Sequence, residues 1–186
     1  IHNRYALRFL ETKFENKEGG SEFTNITKKA SEYYFQKNLN YRDKQIERET
    51  LIIEYFNVAI NEILKLGHKV ILIYPVPEIG FDPIKKISNI LRKDKTTNDI
   101  KKFPILSVEY DLFKQRNKKV FETLDKISHT NLYRVYPHIY FCEKILPNNC
   151  VTNTQEILFY WDDDHLSLDG SQFIVDDIIK KIKNIN

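Results

Sequence analysis

The sequence predicts an α/β protein, a three-layer α/β/α sandwich around a mainly parallel sheet. Three observations carry this. Strand-like and helix-like patterns alternate along the chain, as in crossover-connected parallel strands. The stretch Val70-Ile71-Leu72-Ile73-Tyr74 is almost unbroken in its apolar character, the pattern of a parallel strand covered on both faces. The C-terminal stretch repeats Phe173, Ile174, Ile178, Ile182 and Ile185 at helical spacing, so the last element is an amphipathic helix that must lay one face on the sheet. With 186 residues, 41% hydrophobic and 30% charged, the chain fits one domain over 1–186 with one core.

The elements follow in order. Ile1 to Phe9 reads as the end of a strand leaving the core. Glu11 to Arg48 is a long polar segment with Gly19-Gly20, expected near the rim of a site. A helix is predicted from about Glu49 to Leu66, with Leu51, Ile52, Tyr55, Phe56, Ala59, Ile60, Ile63 and Leu64 on its apolar face and Gly67 as its stop. Lys69 to Tyr74 is the predicted central strand, and Pro75, Pro77 and Pro83 end it in an extended loop. Pro83 to Pro104 is lysine-rich, with a short helix at Ile84 to Arg92. A second long helix is predicted from about Ser107 to Ser128, turning Val108, Leu112, Val120, Leu124 and Ile127 inward. Leu132 to Tyr136 and the short Ile157 to Tyr160 read as further strands, and Ser167 as the N-cap of the final helix.

Composition narrows the function. The net charge of +3 comes from lysines scattered among acids, with no basic stripe, so a nucleic-acid partner is not expected. No apolar run reaches the length of a membrane span or a secretion signal. A chain with no Met that opens on Ile1-His2-Asn3-Arg4 is expected to be the later part of a longer translation product. The two cysteines, Cys142 and Cys150, flank a turn-rich segment, and a bridge between them would close a short loop. Such a bridge would contribute ~2.5 kcal/mol and imply an oxidising compartment; the alternative is a pair of unrelated thiols.

The most informative stretch is Trp161-Asp162-Asp163-Asp164-His165-Leu166-Ser167-Leu168-Asp169-Gly170. An Asp three residues ahead of a His in a tight turn can set its carboxylate on the imidazole Nδ1 and leave Nε2 for a nucleophile's proton. Asp162 and His165 fit these roles as orienting acid and general base. Asp163 and Asp164 read as turn-formers or as charges favoured near a helix N-terminus. A metal site of the three Asp with His165 is disfavoured because consecutive carboxylates diverge; no metal and no cofactor are expected. His2, His68, His129 and His138 lack a partner pattern. The 11 Tyr and 12 Phe suit sugar stacking or plain packing equally.

The Asp162-Asp163-Asp164-His165-Leu166-Ser167 string with Gly170, the Val70 to Glu78 strand with its Pro-Val-Pro-Glu ending, the Cys pair, Arg4-Tyr5-Ala6-Leu7 and Phe14-Glu15-Asn16-Lys17-Glu18-Gly19-Gly20 together resemble the SGNH hydrolase-like domain fused to membrane acyltransferases of family three. The resemblance implies a flavodoxin-like sandwich on the periplasmic face of the inner membrane, beside a membrane-embedded acyltransferase domain of the same polypeptide. It implies O-acetylation of a cell-envelope polysaccharide or glycolipid such as lipopolysaccharide, through a Ser-His-Asp triad. Asn3 and Arg4 fall where such a domain supplies an oxyanion or substrate contact, or they are a surface pair. The family's nucleophile lies in a Gly-Asp-Ser segment after its first strand, and this sequence contains none. Gly19-Gly20-Ser21 is no substitute, lacking the preceding strand and the Asp. The chain is therefore expected to lack the N-terminal strand and serine, and to be nearly inactive alone. The alternatives are a non-catalytic glycan-binding or docking module, or a carbohydrate esterase.

Overall fold

The structure is a computed structural model that describes residues 45–93 and 102–185. The predicted strand at 1–9 and the polar segment up to residue 44 lie outside the described residues. The first helix among the described residues, α1 (Gln45–Lys65), begins four residues before the predicted Glu49. Gly67 ends it at φ +84°, the left-handed conformation a C-terminal stop needs, and its N–H donates to the Leu64 carbonyl at 3.0 Å. Strand β1 (Val70–Ile73) follows, and then α2 (Pro83–Lys93). Pro83 takes the first helical position, where a missing N–H costs nothing, and the Asp82 carboxylate caps the Lys85 N–H at 2.9 Å.

The chain continues through β2 (Ser107–Glu109), α3 (Tyr110–Asp125), β3 (Leu132–Val135), the one-turn α4 (His138–Phe141), β4 (Asn149–Val151) and α5 (Leu168–Ile185). β1 and β3 pair in parallel, Val70 opposite Leu132 and Ile73 opposite Val135. Alternate residues of β1 divide the core. Val70, Leu72 and Tyr74 pack with Ile60 and Leu64 of α1 and Val120 and Leu124 of α3. Ile71 and Ile73 face the other way, into a cluster holding Val135, Phe141, Phe159, Tyr160 and Ile174 of α5. Helices thus cover both faces of the parallel pair, and the α/β/α layering follows from the period of two along β1.

Several boundaries differ from the sequence reading. The predicted long helix from Ser107 starts instead as β2, antiparallel to β4 with Val108 opposite Cys150, and the helix proper runs from Tyr110 to Asp125. Val108 is buried against Cys150 and Val151 rather than on a helix face, so tertiary pairing overrides the local pattern. Buried Asn153 holds this edge, accepting the Leu106 N–H at 3.0 Å and donating to the Pro104 carbonyl at 2.9 Å. Ile157 to Tyr160 forms isolated bridges, Asn153 with Leu158 and Tyr160 with Leu166, rather than a ladder strand. On α5 only Ile174 of the predicted apolar face is buried; Phe173 and Ile182 are exposed. Gly170 is where α5 crosses closest to the core, because a Cβ there would stand 2.1 Å from the Phe159 carbonyl oxygen.

Cys142 and Cys150 form the expected disulfide, which closes the segment after α4 onto β4. Both are buried in the second cluster.

Candidate active site

The acidic triplet sits at the tip of a hairpin. The Trp161 N–H donates to the His165 carbonyl at 2.8 Å and the Ser167 N–H to the Phe159 carbonyl at 2.9 Å, which brackets the antiparallel pair Tyr160 and Leu166. Tyr160 points inward, fully buried, and its hydroxyl donates to the Pro77 carbonyl at 2.8 Å. Burial, and then the Glu78 carboxylate, hold the Tyr160 phenol well above its usual range, so it stays a donor. Ser167 closes the hairpin as the predicted N-cap, its Oγ accepting the Gly170 N–H at 3.1 Å.

Two turns of loop meet here. The Asp163 carbonyl accepts the Ile79 N–H at 3.0 Å and the Gly80 N–H at 3.3 Å, so the Pro-Val-Pro-Glu loop after β1 is stitched to the tip that carries His165. Glu78 is held from behind by Arg116 of α3 in a nearly buried ion pair, Arg116 Nη2 donating to Glu78 Oε1 at 3.3 Å alongside a close Nε contact. The loop is thereby anchored to the helical layer as well as to the hairpin.

Asp162 is placed as an orienting acid would be. Its Oδ1 accepts the backbone N–H groups of His165 at 2.7 Å and Asp164 at 3.1 Å, and the His165 Nδ1 lies 2.9 Å from Oδ2 and 3.0 Å from Oδ1. A carboxylate only accepts, which puts the imidazole proton on Nδ1. Burial pushes the Asp162 carboxyl up, but the two N–H donors and the His165 ring more than offset it, and the net shift is downward. Asp162 therefore stays ionised at any pH where His165 could work. The His165 side chain is 71% exposed.

Asp164 lies in the bent tip, as a turn-former does. Of the two readings of its charge, the helix N-terminal one does not apply, because the acidic residue in the first turn of α5 is Asp169. The Asp164 carboxylate, 10% exposed, lies 3.1 Å from His165 Nδ1, so two carboxylates flank one ring nitrogen. Consecutive carboxylates diverge, but residues two apart in this bent tip converge, and ligand atoms of Asp162, Asp164 and His165 lie within 4.8 Å of one another. The argument from divergence against a metal thus holds for Asp163 only. Nδ1 is already committed to the two carboxylates, so the set reads as an oriented imidazole. Asn3 and Arg4 lie outside the described residues. Cys142 and Cys150 belong to the disulfide.

The sequence model of one protein family, described as SGNH domain (fused to AT3 domains), matches residues 10–180. No curated protein and no solved structure matches the chain. An Asp-x-x-His element at a hairpin tip, a strand loop stitched to it, helices on both faces of a parallel pair and a match over most of the length agree with one another: the chain belongs to the family of hydrolase-like SGNH domains fused to AT3 acyltransferase domains.

Proposed function

We propose that this domain takes part in O-acyl transfer, moving an acetyl group to a polysaccharide or glycolipid of the cell envelope, with Asp162 and His165 as the acid and base of a Ser-His-Asp triad. The observation that carries the reading is the Asp162 carboxylate, fixed by two backbone N–H groups and set on His165 Nδ1 at 2.9 Å. That arrangement fixes the tautomer and makes Nε2 the basic nitrogen. The serine comes from the family's Gly-Asp-Ser segment, outside this sequence.

The chemistry balances as two transfers. His165 Nε2 takes the serine hydroxyl proton while Oγ bonds to the acyl carbon, and the donor's leaving group departs with that proton. His165 then takes the proton of an acceptor hydroxyl, whose oxygen attacks the acyl-serine and releases the serine, reprotonated. The acyl donor side is assigned to the AT3 domain of the same polypeptide, with this domain on the periplasmic side of the membrane. Among the described residues no helix is long and apolar enough to cross a membrane, and the disulfide suits an oxidising compartment.

The test is acylation of the envelope acceptor by the full-length protein. His165→Ala is expected to reduce transfer by about a thousandfold or more with expression and folding kept. Transfer at the wild-type rate would remove His165 and its triad from the chemistry and leave a binding module.

A further inference from the structure

Trp161 is the single Trp of the chain and is 67% exposed, although a Trp ring normally buries most of its area. Its place is set by the hairpin. Tyr160 and Leu166 are a cross-strand pair, and Tyr160 is turned into the core. One step outward the Trp161 N–H is bonded to the His165 carbonyl, and both residues are exposed where Tyr160 is not. The two residues thus meet through the backbone at the base of the tip, the Trp161 residue 67% exposed and the His165 side chain 71% exposed.

The backbone that carries the ring is held in place. The Trp161 N–H is bonded to the His165 carbonyl, and the Ser167 N–H to the Phe159 carbonyl one step further in. The tip beyond is tied to the loop after β1 through the Asp163 carbonyl. An exposed apolar plane on a rigid backbone is prepared to bind with little ordering cost.

We propose that Trp161 is the stacking platform for a sugar ring of the acceptor, holding it face-on while one of its hydroxyls reaches His165. The inference rests on the acyl-transfer reading of this site. Its chemistry is that of a pyranose. The C–H face of the ring lies against the indole, and the hydroxyls at its rim meet the imidazole of His165 and the carboxylate of Asp162, with the nearly buried Asp164 behind them. The same two carboxylates disfavour the other surface an exposed Trp could enter, an anionic lipid headgroup layer.

Two measurements on the full-length protein test it. The first is acyl transfer to deacylated polysaccharide extracted from the host envelope. Trp161→Ala is expected to raise KM for the polysaccharide by about tenfold with kcat changed by about twofold at most, and Trp161→Phe to recover most of the loss. The second is fluorine NMR of fluorotryptophan-labelled protein in the His165→Ala background, the Trp161 signal being assigned by its loss in Trp161→Phe. Polysaccharide is expected to shift that signal. Phosphatidylethanolamine–phosphatidylglycerol vesicles are not. An unchanged KM in Trp161→Ala, a signal that polysaccharide leaves in place, a shift caused by vesicles instead, or loss of association with the membrane domain in Trp161→Ala would each overturn the stacking role. Failure of the acyl-transfer reading is seen separately, as wild-type transfer by His165→Ala, and the binding shift is read without turnover.

Discussion

At the scale of single residues, the site depends on how one carboxylate is held. Asp162 accepts two backbone N–H groups and the imidazole, and these lower its pKa against the effect of burial. Asp162→Asn keeps the shape but can present an amide N–H to Nδ1, which favours the wrong tautomer; acyl transfer by the full-length protein is expected to fall by about a thousand- to ten-thousand-fold. Asp164→Asn, with Asp162 intact, should lose much less. Equal losses in the two variants would show that the carboxylates act as one unit. The sign of the acid dependence follows from the shift. The folded-state pKa lies below the unfolded value of about 3.9, so the carboxylate's contribution to stability is present above that pH and disappears as pH falls through the folded value. Wild type and Asp162→Asn should thus differ in urea midpoint at neutral pH and converge at strongly acid pH. A difference that persists there would assign it to something other than the titration. The pairing of Asp162 with His165 was legible in the sequence because both residues belong to one turn. The approach of Asp164 was not, since it depends on how sharply the hairpin tip bends.

At the scale of elements, close approach and cross-linking set the energetics. Gly170 lets α5 lie against the Phe159 backbone, and a Cβ placed 2.1 Å from that carbonyl oxygen would force the helix outward. Gly170→Ala is expected to cost about 3 kcal/mol by chemical denaturation, where an Ala at an uncrowded helix site would stabilise. No loss of stability would mean that α5 does not pack this closely. The disulfide joins the residue after α4 to β4 across eight residues of sequence, and opening it should lower stability by about 2.5 kcal/mol in the chain-entropy picture. Denaturation with and without reductant measures this, and two titratable thiols in protein made in an oxidising compartment would contradict the bond. The same elements show where pattern reading works. The helix stop at Gly67, the cap at Ser167 and the extent of α5 are local and were read from sequence. The three-residue β2 carries a helix-start pattern, because Val108 fits a helical spacing as well as a strand; only its partner Asn149–Val151, some forty residues later, decides the matter.

At the scale of the whole molecule, burial gives one group a pH response that nothing in its sequence context announced. His138 lies among the rings of Tyr110, Phe113, Phe121 and Tyr136, with its Nδ1 buried and without a hydrogen-bond partner among the described residues. Burial lowers its pKa from 6.5. The unfolded chain then takes up a proton that the folded one resists, so stability is at its full value above that pH and is lost as pH falls through and below it. His138→Phe should flatten this acid-side loss in thermal unfolding measured from neutral pH downward. Parallel curves for the two proteins would place the response elsewhere. By itself the sequence determined the α/β class, the continuously apolar β1, the stop at Gly67, the cap at Ser167 and the Asp162–His165 pair. Each depends on the backbone preferences and side-chain period of a few neighbouring residues. Tertiary structure alone decided that the Asp163 carbonyl would meet Ile79 and Gly80 and that Tyr160 would reach Pro77. The physical reason is that such contacts join segments far apart in the chain, and they form only where the packing of the layers brings the ends of the strands together.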